Sequence, residues 1–263
     1  METTSLFHQS SSSAAGAAVA PAQVWKPGPT SPVIWPHETH VWRAKLDVPW
    51  SWTFDEALTL DDRARADRFR FESDRRRFCV ARASLRLVLG RYLKTKASRL
   101  QIDSGEYGKP YFVDEKATQG LRFNLSHSNS LALIAVSRDR EVGVDLEYMR
   151  AKFVTDEVAT HFFSPSELAE FRDVPAHLKT QSFFNCWTRK EAYIKARGEG
   201  LYCALDQFDV SVAPDAPAML LNSRVAPGEV ERWRFQDISP AAGYAATLAV
   251  EGEISRLVLW DLV

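Results

Sequence analysis

Asp145 and Glu147 alternate with Val144 and Leu146 behind a glycine, in Gly143-Val144-Asp145-Leu146-Glu147. In a strand, residues i and i+2 share a face, so both carboxylates project one way while the two aliphatic chains enter a core. Any fold that takes this segment must offer it a polar opening on one side and apolar packing on the other. Two like charges held so close repel, and a cation between them relieves the repulsion; hard oxygen donors of this kind suit Mg²⁺. The plainer alternative is a strand end with one carboxylate turned to solvent.

Periodicity on either side supplies the rest of a mixed fold. Alternation predicts strands over 40–46, 121–125 and 131–136, the last two joined by a polar turn at Ser126-His127-Ser128-Asn129-Ser130. A helix is expected from about Asp74 to Leu93, with Phe78, Ala81, Leu85, Val88 and Leu89 as its apolar stripe. Asp61-Asp62 signals a helix start before it. Beyond the strand at 142–147, helices are predicted over 155–162 and 164–171, the second opened by Ser164-Pro165-Ser166-Glu167 with proline at its first position and a capping box. A further helix spans roughly 178–196 and stops at Gly198. Strands are then expected over 208–212, 230–235, 244–250 and 257–260. Strand, helices, strands thus occurs twice, which predicts an α+β fold of two halves, 33–140 and 141–263, behind a Ser/Ala- and Pro-rich flexible tail over 1–32.

Composition narrows the function classes. The net charge of −1 carries no global signal for nucleic acid or an anionic membrane. Locally, 13 Lys or Arg stand against 3 Asp or Glu between Arg63 and Arg99, which suits either an anionic ligand or a solvated helix face. Cys79, Cys186 and Cys203 are odd in number and have no metal-ligand spacing, so buried free thiols in a reducing cytosol are expected. No apolar run approaches the roughly 18–20 residues that span a bilayer, and the amino terminus lacks a basic, Leu-rich secretory pattern. A cytoplasmic protein is the expectation.

Three further segments could carry chemistry. Trp187, Glu191 and Lys195 are spaced by four and stack along one helix face. They read either as a surface ion pair beside a core aromatic or as a third carboxylate and a phosphate-facing lysine. A carboxylate set with a nearby lysine is suited to polarising a phosphoryl group. In Phe123-Asn124-Leu125-Ser126-His127-Ser128, His127 could ligate a metal, act as a base or donate to a phosphate. No second His or Cys at ligand spacing supports the first, and no Gly-x-Ser-x-Gly supports a serine hydrolase. Lys109, after Gly105 and Gly108, reads as a phosphate-facing lysine or a solvated loop charge.

Taken in order, Gly108-Lys109-Pro110, Phe123–Ser128, Gly143–Glu147, Phe162-Phe163-Ser164-Pro165-Ser166-Glu167 and Trp187-Thr188-Arg189-Lys190-Glu191-Ala192-Tyr193-Ile194-Lys195 resemble the Sfp-type 4′-phosphopantetheinyl transferases, over about residues 35–255. Trp187 with Lys190-Glu191-Ala192 is similar to the Trp/Lys-Glu-Ala subgroup. The resemblance implies a monomeric pseudo-twofold fold of two similar α+β halves with coenzyme A in the cleft between them. It implies transfer of the 4′-phosphopantetheine arm of coenzyme A to a serine of an apo acyl, peptidyl or aryl carrier protein, with release of adenosine 3′,5′-bisphosphate. Fatty-acid, polyketide and nonribosomal peptide carriers are not distinguished by it.

Carried over by residue, the resemblance makes Asp145, Glu147 and Glu191 the ligands of Mg²⁺, for which Mn²⁺ is an acceptable substitute. Glu191 is the base for the incoming serine, and Lys195 neutralises charge on the pyrophosphate. Lys109, Pro110, Ser126 and His127 match positions at the coenzyme's phosphates, Ser84 a hydroxyl in the adenine and 3′-phosphate pocket, and Arg68 a basic position on that phosphate. Glu167 matches a further acidic position near the metal side. Two other classes compete: a Mg²⁺-dependent phosphodiesterase or nuclease, and a carrier-binding module with an idle site. The near-neutral charge weighs against nucleic acid, and the intact carboxylate set against an idle site.

Overall fold

The computed structural model describes residues 23–106, 108–198 and 204–263. Residues 1–22 of the expected tail, and Cys203, lie outside the described residues. The first half opens with β1 (Lys26–Pro27), β2 (Glu38–Lys45), α1 (Trp52–Ala57), α2 (Leu60–Ala66) and α3 (Glu72–Leu93). It continues with β3 (Ile102–Ser104), β4 (Pro110–Phe112), β5 (Leu121–Ser128) and β6 (Leu131–Arg138). The second half runs through β7 (Val142–Tyr148), α4 (Asp156–Phe162), α5 (Pro165–Asp173), α6 (Lys179–Arg197), β8 (Phe208–Val210) and β9 (Leu220–Ser223). The chain ends with α7 (Glu229–Arg232), β10 (Trp233–Ile238), β11 (Tyr244–Glu251) and β12 (Arg256–Asp261).

The fold is α+β, as the element order predicts. A five-stranded sheet has the order β1-β12-β2-β6-β5, and a three-stranded antiparallel sheet the order β10-β11-β7. Leu85, Val88 and Leu89 of α3 pack on Trp42, Phe123, Ile134 and Val136, covering one face of the larger sheet. Its other face meets the smaller sheet through Val41, Leu133 and Ala135 against Val142, Val144, Leu146 and Leu248. Ala192, Tyr193 and Ala196 of α6 cover the far side of the smaller sheet, against Ala245 and Ala249. The layers therefore run helix, sheet, sheet, helix. Among the described residues, no helix is long and apolar enough to cross a membrane, and Cys79 and Cys186 are buried free thiols.

Helix ends follow the local chemistry. Ser164 and Glu167 form the reciprocal capping box of α5 with Pro165 at its start, and Thr59 and Asp62 form one on α2. Gly198 closes α6 at φ 76°, a left-handed conformation that costs glycine little.

Three expectations are corrected. Residues 23–28 do not belong to a free tail: Lys26 and Pro27 pair with Trp260 and Asp261, Gly28 N–H donates to the Asp261 carbonyl, and Gln23 Nε2 donates to the Asp237 carbonyl. The two halves interlock across 140/141, because β12 of the second returns to lie beside β2 of the first. The strand expected over 230–235 begins as one helical turn, α7, and turns extended at Trp233. Finally, β5 continues through Ser126, His127 and Ser128, leaving Asn129 and Ser130 to turn the hairpin. Polar side chains suggest a turn there, yet in the fold they bond to the neighbouring strand.

Candidate active site

Asp145 and Glu147 stand on β7 where it passes α6, with Asp145 2% exposed. Gly143 makes that approach close: a Cβ there would lie 2.1 Å from the Ala192 carbonyl oxygen and 2.4 Å from the Ala196 amide nitrogen. The helix can therefore lower Glu191 and Lys195 onto the strand. Lys195 Nζ donates to Asp145 Oδ1 at 2.5 Å and to Ser126 Oγ at 3.1 Å. Ser126 Oγ donates to Asp145 Oδ1 (3.0 Å), and Ser128 Oγ donates to Glu147 Oε2 (2.8 Å). Among the described residues, Asp145 Oδ2 is buried without a hydrogen-bond partner.

The charges act on one another. Burial first, then repulsion from Asp145, raises the Glu191 carboxyl to about 7; Lys195 opposes the rise and Glu147 adds to it. Glu147 is also raised, by burial and then by Asp145, against hydrogen bonds from Ser128 and the Trp187 indole and the charge of Lys195. Burial pulls the Lys195 ammonium down, but Asp145, Glu191 and Glu147 more than offset it and its pKa lies above the ordinary value. His127 keeps an exposed edge, yet desolvation by the surrounding protein, followed by repulsion from Lys195, lowers its pKa.

The three carboxylates thus share one electrostatic environment, but their convergence is incomplete. Among the described residues, no three His, Cys, Asp or Glu side chains form a group that could hold a metal ion as they stand. Lys195, rather than a third carboxylate, closes on Asp145 Oδ1. The donor chemistry still fits a hard divalent cation. Asp145 offers a buried oxygen with no partner, and no hydrogen bond reaches the Glu191 carboxylate among the described residues.

Beside Glu147 and Ser128 opens a cavity of about 290 Å³, walled by Tyr148, Phe153, Phe162 and Trp187, with Arg150 at its rim. Trp187 meets Phe162 edge-on at 4.7 Å and stacks on Phe183 at 6.4 Å, so it serves both the core and this wall.

The remaining sequence candidates scatter. The Lys109 ammonium is spent on Glu141 Oε2 and the Ala196 carbonyl, each at 2.7 Å, so it is not the free phosphate-facing charge expected. Pro110 opens β4 and lines a separate cavity of about 270 Å³ with Lys109, Arg122 and Glu141. Ser84 is buried on α3 and lines a cavity of about 700 Å³ with Arg43, Lys45 and Arg91. That cavity sits by β12 and the end of β2, and none of Asp145, Glu147 and Glu191 lines it. Arg68 lies exposed between α2 and α3, with no side-chain hydrogen bond or ion pair among the described residues. Glu167 is no metal-side acid: it is 1% exposed, holds Lys190 Nζ at 2.7 Å and accepts the Ser164 and Val210 amides.

Comparison with known proteins decides the kinship. Family models for the 4′-phosphopantetheinyl transferase superfamily and for the 4′-phosphopantetheinyl transferase N-terminal region match residues 141–249 and 42–139. The chain is 40% identical to the 4′-phosphopantetheinyl transferase HetI of Nostoc sp. over 230 residues, 87% of this chain and 94% of that one. The chain belongs to the 4′-phosphopantetheinyl transferase superfamily. The 4′-phosphopantetheinyl transferase Sfp of Bacillus subtilis is 29% identical over 162 residues, 62% of this chain and 70% of Sfp. A solved ACPS–CoA complex from Chronobacterium ammoniagenes is 21% identical over 42% of this chain and 95% of its own, at a TM-score of 0.32. This transferase moves phosphopantetheine to carrier proteins.

Asn124 and Ser128 lie within the quoted Phe123–Ser128 segment, but among the site residues expected there only Ser126 and His127 are named. The signal was present: Asn-x-Ser-x-Ser over 124–128 repeats the alternation of Gly-x-Asp-x-Glu over 143–147.

Proposed function

We propose that this transferase takes coenzyme A as donor and a serine hydroxyl of an apo carrier protein as acceptor, releasing adenosine 3′,5′-bisphosphate with Mg²⁺ held by Asp145, Glu147 and Glu191. The buried, unpartnered Asp145 Oδ2 beside two carboxyls of raised pKa carries the reading. When bound, the divalent cation supplies positive charge against the pyrophosphate oxygens, and Mn²⁺ accepts the same ligands.

The chain's own residues do the rest. Glu191, whose carboxyl sits at about 7 when no cation is bound, is the group placed to accept the serine proton. The freed oxygen attacks the phosphorus that bears the pantetheine arm; the bond from that phosphorus to the bridging oxygen breaks, and its electrons leave with the nucleotide. Lys195, held cationic by its carboxylate neighbours, offsets the charge gathering on that leaving group. The aromatic cavity beside Glu147 offers an apolar wall to the arm or to the carrier segment around its serine.

An apo carrier incubated with the protein, coenzyme A and Mg²⁺ should gain the mass of one phosphopantetheine on its serine, and Asp145→Ala should abolish the gain with the fold intact. Full activity of Asp145→Ala and Glu191→Ala would remove the metal assignment. Cleavage of coenzyme A at equal rate without a carrier would favour a phosphodiesterase instead.

A further inference from the structure

Three amides along one edge of β7, those of Val144, Leu146 and Tyr148, donate to side chains of β5. Val144 N–H reaches Asn124 Oδ1 at 2.9 Å, Leu146 N–H reaches Ser126 Oγ at 3.2 Å, and Tyr148 N–H reaches Ser128 Oγ at 3.1 Å. Each acceptor precedes its donor by 20 residues, so the two strands run side by side in a fixed parallel register. The other edge of β7 pairs with β11 in the ordinary way.

The acceptors differ in a way that matches what faces them. A hydroxyl can accept and donate at once, whereas a side-chain amide oxygen accepts only. Ser126 and Ser128 donate hydrogen bonds to the carboxylates at 145 and 147. At the third rung the corresponding position is Gly143, which has no carboxylate, and there the acceptor is Asn124. Asn124 and Ser126 are buried, where an amide left without an acceptor is costly.

We propose that Asn124, Ser126 and Ser128 are positioning residues of the transfer reaction: a ladder of side chains that sets the register of β7, in which each serine ties a strand amide to the carboxylate one residue before it. Rotating Glu147 away from its present aim then breaks the Ser128 link and disturbs the Tyr148 amide together. The proposal rests on the role of the carboxylates given above, and its test separates the two.

Amide exchange measured by NMR on the full chain reads the ladder directly. In the unaltered protein the Val144, Leu146 and Tyr148 amides should be protected like those of β7 that face β11; exchange at the rate of free surface amides would overturn the proposal without any variant. Ser128→Ala should lower protection about tenfold at Tyr148 and leave Val144 unchanged, and Asn124→Ala should do the reverse. In parallel, Ser128→Ala should lower kcat about tenfold with the KM for coenzyme A little changed, and Ser128→Thr should restore both readouts. Lost protection with an unaltered kcat would make the ladder structural alone and overturn the positioning role. Retained activity in Asp145→Ala would instead defeat the metal reading, while the exchange pattern would still stand or fall by itself.

Discussion

Lys195 Nζ and Asp145 Oδ1 lie 2.5 Å apart, so the lysine occupies one oxygen of the most buried carboxylate in the site and leaves the other unpartnered. The ammonium and a divalent cation therefore compete for the same side chain. Lys195→Ala should bind Mn²⁺ more tightly, because a neighbouring positive charge is gone. Turnover should nonetheless fall on the order of 10²–10³-fold, the usual loss when a group aimed at developing charge is removed. Titration calorimetry with Mn²⁺ and carrier-loading rates check the two effects; weaker Mn²⁺ binding would contradict the competition.

Glu191 gives the site a pH signature. A carboxyl raised to about 7 from its ordinary 4.5 holds its proton more firmly folded than unfolded. Its contribution to stability is complete below about 4.5 and is lost as pH rises through about 7. In chelator, the melting temperature of the unaltered protein should fall between about pH 5 and 8, and that of Glu191→Gln should fall less. Saturating Mg²⁺ should flatten the curve. Parallel melts of the two proteins would take Glu191 out of the titrating set.

Gly143→Ala tests the closeness of strand and helix. The new methyl would meet the Ala192 carbonyl at 2.1 Å and the Ala196 amide nitrogen at 2.4 Å, both backbone atoms that cannot rotate aside. Separating α6 from β7 should cost about 3 kcal/mol or more in denaturant unfolding and should lower transfer, since Glu191 and Lys195 ride on the displaced helix. A stability loss below about 1 kcal/mol would mean that the helix yields easily.

The Glu167–Lys190 pair should behave as a buried structural pair. Its side chains are 1% and 0% exposed. Lys190→Met leaves a buried carboxylate without its partner and should cost about 3–5 kcal/mol, while Arg172→Ala, which breaks an exposed pair with Asp156, should cost less than about 1 kcal/mol. Urea unfolding measures both. Residual transfer by folded Lys190→Met, corrected for the folded fraction, should stay near that of the unaltered chain.

Much of the architecture was legible because it rests on local signals. The α3 stripe, the Ser164–Glu167 box and the Gly198 stop are each written within a few residues, and the helices lie where these place them. The site was legible at Asp145 and Glu147, since strand alternation alone puts both on one face. Other roles depended on distant partners. Nothing near Lys109 announces Glu141, and nothing near Glu167 announces that Lys190 will reach it. The same holds for Ser126 and Ser128, whose polarity suggests a bend until the amides of another strand donate to their hydroxyl oxygens. Long-range pairing also hid the fate of residues 23–28, which are held by segments more than 200 positions later.

The carboxyl-terminal strand, β12, lies between β1 and β2 as an interior member of the first sheet. Severing the polypeptide near residue 140 would consequently strip the amino-terminal fragment of a neighbour it needs on β2's outer flank and expose Val41 and Trp42 along a raw edge.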